Sequence, residues 1–128
     1  MGFALSTFKT VVIHIITQLE LGGAQQNTLY TISHLDRKRF IPYLISGANG
    51  ILDREAKKIL QDRFIIIDTL KREIQPFEDA KAMRSLKIAI ERITFHHPRC
   101  QVIIHTHSSK AGILGRLAAD FFPKCKVI

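Results

Sequence analysis

Apolar residues follow one another without polar alternation in Val11-Val12-Ile13-His14-Ile15-Ile16, which predicts a strand over residues 10–17 buried on both faces. A different period follows. Ala24, Thr28, Leu29, Ile32 and Leu35 form an apolar stripe that predicts a helix over 23–35. Phe40 to Ser46 reads as a second strand, with Pro42 near its entrance, where a missing donor is tolerated. Asn49-Gly50 is a turn signal, followed by a short helix over 52–61 and a third strand at Arg63-Phe64-Ile65-Ile66-Ile67. Asp68 to Pro76 is a charged loop. Beyond it, Met83, Leu86, Ile90 and Ile93 recur at helical spacing until Pro98. A fourth strand over 101–105, a helix over 110–121 and a fifth strand beginning at Lys126 complete the pattern.

Strands that alternate with helices imply parallel pairing through right-handed crossovers. The economical arrangement is a three-layer α/β/α domain with strand order 3-2-1-4-5, strands one and four flanking the switch point. Residues 1–9 read as an N-terminal extension and 10–128 as the domain. The fifth strand reaches Ile128 with no helix to cover it, as in a domain cut from something longer.

Composition narrows the class. A chain of 128 residues with 46% hydrophobic and 23% charged residues suits one globular domain with a real core. No apolar run approaches the roughly 18 residues of a membrane span, and the N-terminus does not read as a secretory signal. The two cysteines lack metal-type spacing, which fits a reducing, cytoplasmic setting. Nineteen basic against eleven acidic residues give a net charge of +8, compatible with phosphate-bearing ligands or an anionic membrane. Nucleic acid is not expected as a partner, because no basic stripe is interleaved with aromatics.

The candidate chemistry gathers after strands one and four. In open α/β sheets, ligands bind beyond the carboxyl ends of the strands. There the chain carries His105-Thr106-His107-Ser108-Ser109-Lys110-Ala111-Gly112 and, at the front, Leu21-Gly22-Gly23-Ala24. Gly22-Gly23 opens a helix whose bare N–H groups could face an anion; the plain alternative is a tight turn needing positive φ. The spacing matches neither the dinucleotide fingerprint nor the Walker loop. His105 and His107 alternate, so an extended backbone aims both to one side. A metal site normally takes about three or four ligands. His14, His34, His96 and His97 form no obvious set with these two, so no metal is expected. A contact to a sugar hydroxyl or phosphate suits an imidazole better. Ser108-Ser109 is expected to cap the next helix. Lys110, a flexible and solvated cation on this reading, opposes the helix dipole and hints at an anionic partner. Lys71-Arg72-Glu73 reads as a charge cluster able to reach the cleft rim.

Three segments, Val12 to Gln25, Leu70 to Pro76 and Ile104 to Ala119, together resemble the N-terminal Rossmann-like domain of GT-B glycosyltransferases, specifically the large retaining family 4. Members often build capsular, exopolysaccharide or lipopolysaccharide chains in bacteria. The resemblance implies that this domain binds the acceptor, while a C-terminal domain, absent from this chain, binds a UDP- or GDP-sugar and carries the main catalytic residues. It further implies that Gly22 and Gly23 face the donor diphosphate, and that His107, Ser108, Ser109, Lys110 and Arg72 border the acceptor. Transfer without a bound divalent ion is implied too, as is no cofactor held by this domain. The implied partners are a nucleotide sugar, a glycan or lipid-linked acceptor, the chain's own C-terminal domain and an anionic membrane surface. The implied location is cytoplasmic, peripheral on the inner face of the membrane. The isolated chain is expected to be inactive. A stand-alone flavodoxin-like binding module and a regulatory α/β domain stay open as other readings of the same pattern.

Overall fold

The computed structural model of the chain describes residues 8–17, 23–107 and 109–128, with backbone only for residues 23–25 and 109. Five strands and four helices alternate: β1 (Thr10–Ile16), α1 (Gly23–Ser33), β2 (Phe40–Ser46), α2 (Asp53–Leu60), β3 (Phe64–Ile66), α3 (Pro76–His96), β4 (Gln101–Thr106), α4 (Ser109–Ala119) and β5 (Cys125–Val127). The sheet order is β3-β2-β1-β4-β5 and every pairing is parallel, as the alternation of elements predicts.

The β-branched run of β1, interrupted by His14, forms the central strand. Successive side chains point to opposite faces, and both faces are covered. Val11, Ile13 and Ile15 enter a core layer with Leu86, Ile90 and Ile93 of α3 and Ala111, Leu114 and Ala118 of α4. Ile16 joins the opposite layer with Leu29 and Ile32 of α1 and Ala56 and Leu60 of α2. Ile13 and Ile15 are fully buried, and each such side chain contributes about 1.5–3 kcal/mol of burial. The two halves, β1 to β3 and β4 to β5, thus place their crossover helices on opposite faces, with the switch between β1 and β4.

Element ends depart from the sequence expectation by a residue or two, for local reasons. The first helix stops at Ser33 because its last turn tightens, with Leu35 N–H donating to the Ile32 carbonyl at 3.3 Å. In the same way α4 ends at Ala119, where Phe121 N–H donates to Ala118 at 3.2 Å. Arg63 belongs to a 3₁₀ turn rather than to β3. Pro42 sits inside β2 rather than at its entrance. It is tolerated because β3 pairs only with Leu44 to Ser46, leaving the first half of β2 as an edge. The Asn49-Gly50 turn forms with Asn49 at φ 64° and the Asp53 carboxylate accepting Gly50 N–H at 3.0 Å. Pro76 opens α3 at a position where no N–H is needed.

Gly47 is fixed by crowding. A Cβ there would lie 2.1 Å from the carbonyl oxygens of both Thr17 and Leu70, where the segments leaving β1, β2 and β3 converge. Gly22-Gly23 is a different case. Gly22 lies outside the described residues; Gly23 is the first residue of α1, and no described glycine has positive φ. The tight-turn explanation therefore does not hold for Gly23. Both cysteines are free and partly buried. No helix among the described residues is long and apolar enough to cross a membrane.

Candidate functional site

Because β1 and β4 are parallel neighbours in register, the segments that follow them leave the sheet at the same edge. The ladder continues one step past β4, with His107 N–H donating to the Ile15 carbonyl at 3.0 Å. His107 Nδ1 lies 3.4 Å from Thr28 Oγ1, which ties the end of β4 to helix α1. The described ends of β1 and β4 therefore lie at one edge, where the switch-point rule places ligands.

Register also decides where the imidazoles go. His14 is the β1 partner of His105, and His105 and His107 alternate on an extended backbone, so all three rings emerge on the α1 face. The His105 and His107 rings stack at 4.3 Å between centroids, and His14 lies 5.1 Å from His107 and 5.3 Å from His105. His14 Nδ1 and His107 Nε2 are 2.8 Å apart, a hydrogen bond in which one ring donates and the other accepts. The sequence reading sets His14 apart from the other two; the sheet order joins them.

His14 and His107 are held neutral. Burial is the main cause for His14, reinforced by the charge that His107 or His105 would carry, and it brings His14 down to about 3. His107 is pushed down to about 4 by burial and then by His105. His14 is only 3% exposed, and its Nε2 has no hydrogen-bond partner among the described residues.

The other face of the edge is charged. Lys110, in the first turn of α4, pairs with Asp79 of α3 at 2.5 Å, and its side chain is only 12% exposed. It also donates to the backbone carbonyl of Glu73. Asp79 in turn accepts the N–H of Gln75 at 3.2 Å, capping the start of α3, and Lys110 holds its carboxyl below the usual range. Lys110 is thus not the flexible, solvated cation expected from sequence. The anionic partner that its position at a helix start calls for is supplied by Asp79 within the chain. Through Glu73, Lys110 latches the 71–75 loop that carries Arg72, whose side chain is exposed. Of the remaining expected site residues, Ser108 lies outside the described residues, and Ser109 begins α4 with only its backbone described.

No protein-family model and no solved structure matches the chain. Over 113 residues it is 33% identical to a UDP-Gal:alpha-D-GlcNAc-diphosphoundecaprenol alpha-1,3-galactosyltransferase from Escherichia coli. The chain is similar in sequence to a glycosyltransferase. The alignment covers 87% of this chain and 27% of that protein, so the chain spans about a quarter of its relative's length.

Residues missed from sequence are His14, Thr28 and Asp79. His14 was within reach: aligning Val11–Ile13 with Val102–Ile104 as adjacent parallel strands puts it beside His105. Thr28 and Asp79 depend on how helices settle on the sheet, which no local pattern encodes. A cavity of about 840 Å³ lies elsewhere, between β3 and α3, lined by Tyr43, Arg63, Ile66, Ser85 and Arg92 among others. Its lining includes His96 but none of His14, His105 and His107 and none of the latch. It follows the flank of an edge strand, whereas polar groups converge at the carboxyl ends of β1 and β4, and that convergence decides the candidate site.

Proposed function

We propose that this chain is the acceptor-side, N-terminal domain of a retaining GT-B glycosyltransferase of the family 4 type. On this reading the parent enzyme transfers a sugar from a UDP- or GDP-sugar to a lipid-linked acceptor of a bacterial surface polysaccharide. The observation that carries it is the shared edge, where Thr28 of α1 and His107, just past β4, meet across a parallel β1–β4 pair. The likeness to a galactosyltransferase named for a diphosphoundecaprenol-linked sugar supports the substrate class. The net charge of +8 suits work at the inner face of an anionic membrane, where such acceptors lie.

In this mechanism the donor diphosphate approaches the start of α1 at Gly22-Gly23. Negative charge grows on the departing diphosphate as the glycosidic bond breaks, and bare N–H groups at a helix start, with the dipole behind them, stabilise it without a bridging metal. His107 presents a neutral ring that donates to or accepts from an acceptor hydroxyl. Lys110 sets the position of the 71–75 loop, bringing Arg72 to the acceptor rim, and Ser108 and Ser109 border the same side. The remaining catalytic groups belong to a C-terminal donor domain.

Steady-state transfer by the full-length enzyme tests this. A side chain at Gly23 pushes the diphosphate away from the helix, so Gly23→Val lowers kcat by about 10²–10³ while circular dichroism stays native. A folded Gly23→Val enzyme with near-normal turnover would remove the leaving-group role of this turn.

A further inference from the structure

We propose that His14, His105 and His107 form a binding site for a borderline divalent transition-metal ion, with Zn²⁺ as the reference ion. One nitrogen from each of the three rings lies within 4.8 Å of the others. They converge because of two features of the fold, the β1–β4 register that pairs His14 with His105 and the alternation that returns His107 to the same face. A tetrahedral ion with Zn–N bonds of about 2.0–2.1 Å holds its ligand nitrogens roughly 3.3 Å apart. Small ring rotations reach that spacing from the present one. At 2.8 Å, the His14 Nδ1 and His107 Nε2 pair is bridged by a single proton, and a cation can take that proton's place.

His14 is only 3% exposed, so an ion held at its Nδ1 is shielded from water on that side. The donor set also selects the ion. Three imidazoles with no carboxylate favour zinc, copper or nickel over magnesium or calcium. Thr28 Oγ1, 3.4 Å from His107 Nδ1, can hold the ring nitrogen that faces away from the ion. His105 and His107 are only partly buried, which leaves one side of the ion open to an oxygen ligand. This cation sits with the histidines on the α1 face and has no part in the leaving-group role assigned to Gly22-Gly23.

The test is titration of the metal-stripped chain with Co²⁺, read by its visible d–d bands, followed by displacement with Zn²⁺. His105→Ala is the main variant because the ring is partly exposed, with His107→Ala as the second and exposed His96→Ala as control; circular dichroism confirms folding. The expected result is one Co²⁺ per chain, displaced by Zn²⁺, with affinity at least tenfold weaker in His105→Ala and His107→Ala and unchanged in His96→Ala. Absence of saturable bands overturns the proposal. So does binding that survives both cluster variants, or that falls as much in His96→Ala.

Discussion

The carboxyl edge of this sheet has two faces that solve opposite problems. On the α1 face, His14, His105 and His107 stack as rings, and burial keeps His14 and His107 uncharged. On the α3 face, Lys110 and Asp79 form an ion pair, while Lys110 also holds the 71–75 loop through Glu73. The His14–His107 pair can exchange a partner, whether a hydroxyl or a cation, without dismantling an ion pair. The latch cannot, since any anion drawn to Lys110 must first displace Asp79. On the proposed function, ligand chemistry belongs to the histidine face, and the latch holds the 71–75 loop through Glu73.

The largest expected effect falls on the neutral face. His14 is held at about 3 in the folded chain against 6.5 for an ordinary imidazole. The unfolded ring therefore takes up a proton first as pH falls. Its stabilising contribution is complete above pH 6.5 and drains away toward the folded value. Urea unfolding between about pH 6.5 and 4 should show roughly 3 kcal/mol lost from this ring, and His14→Leu should flatten that slope. An unchanged slope would mean that His14 titrates normally.

A smaller effect is expected at the latch. Lys110→Met leaves the Asp79 carboxylate without its cation and lowers stability by less than the loss at His14. Hydrogen exchange should speed up in the 71–75 amides and stay unchanged around His14. Exchange that rises equally on both faces would show that the two are one cooperative unit. The smallest effect belongs to His96, which is exposed and hydrogen-bonded to the Arg92 backbone carbonyl of its own helix. His96→Ala should change stability by no more than about 0.5 kcal/mol.

Sheet order and all nine elements were legible in the sequence because β-branched runs and helical stripes differ in period, and short loops leave few topologies. The shared edge followed from the order alone. His107 could be picked out by its place after a strand. What the local pattern hid was partnership. Lys110 reads as a solvent cation until α3 and α4 are packed side by side, because Asp79 is remote in sequence. His14 reads as one polar interruption of an apolar run, and its meaning appears only when the register with His105 is drawn.

The most direct test of acceptor binding at this edge is an amide and imidazole NMR titration of the chain. The ligand is a GlcNAc diphosphate carrying a short polyprenyl tail, with UDP-Gal added separately. The account predicts shift changes confined to residues 105–112 and 71–75 and to the His105 and His107 rings, with little response to UDP-Gal. Changes centred instead on Tyr43, Arg63, Ile66, Ser85 and Arg92, around the cavity between β3 and α3, would contradict it.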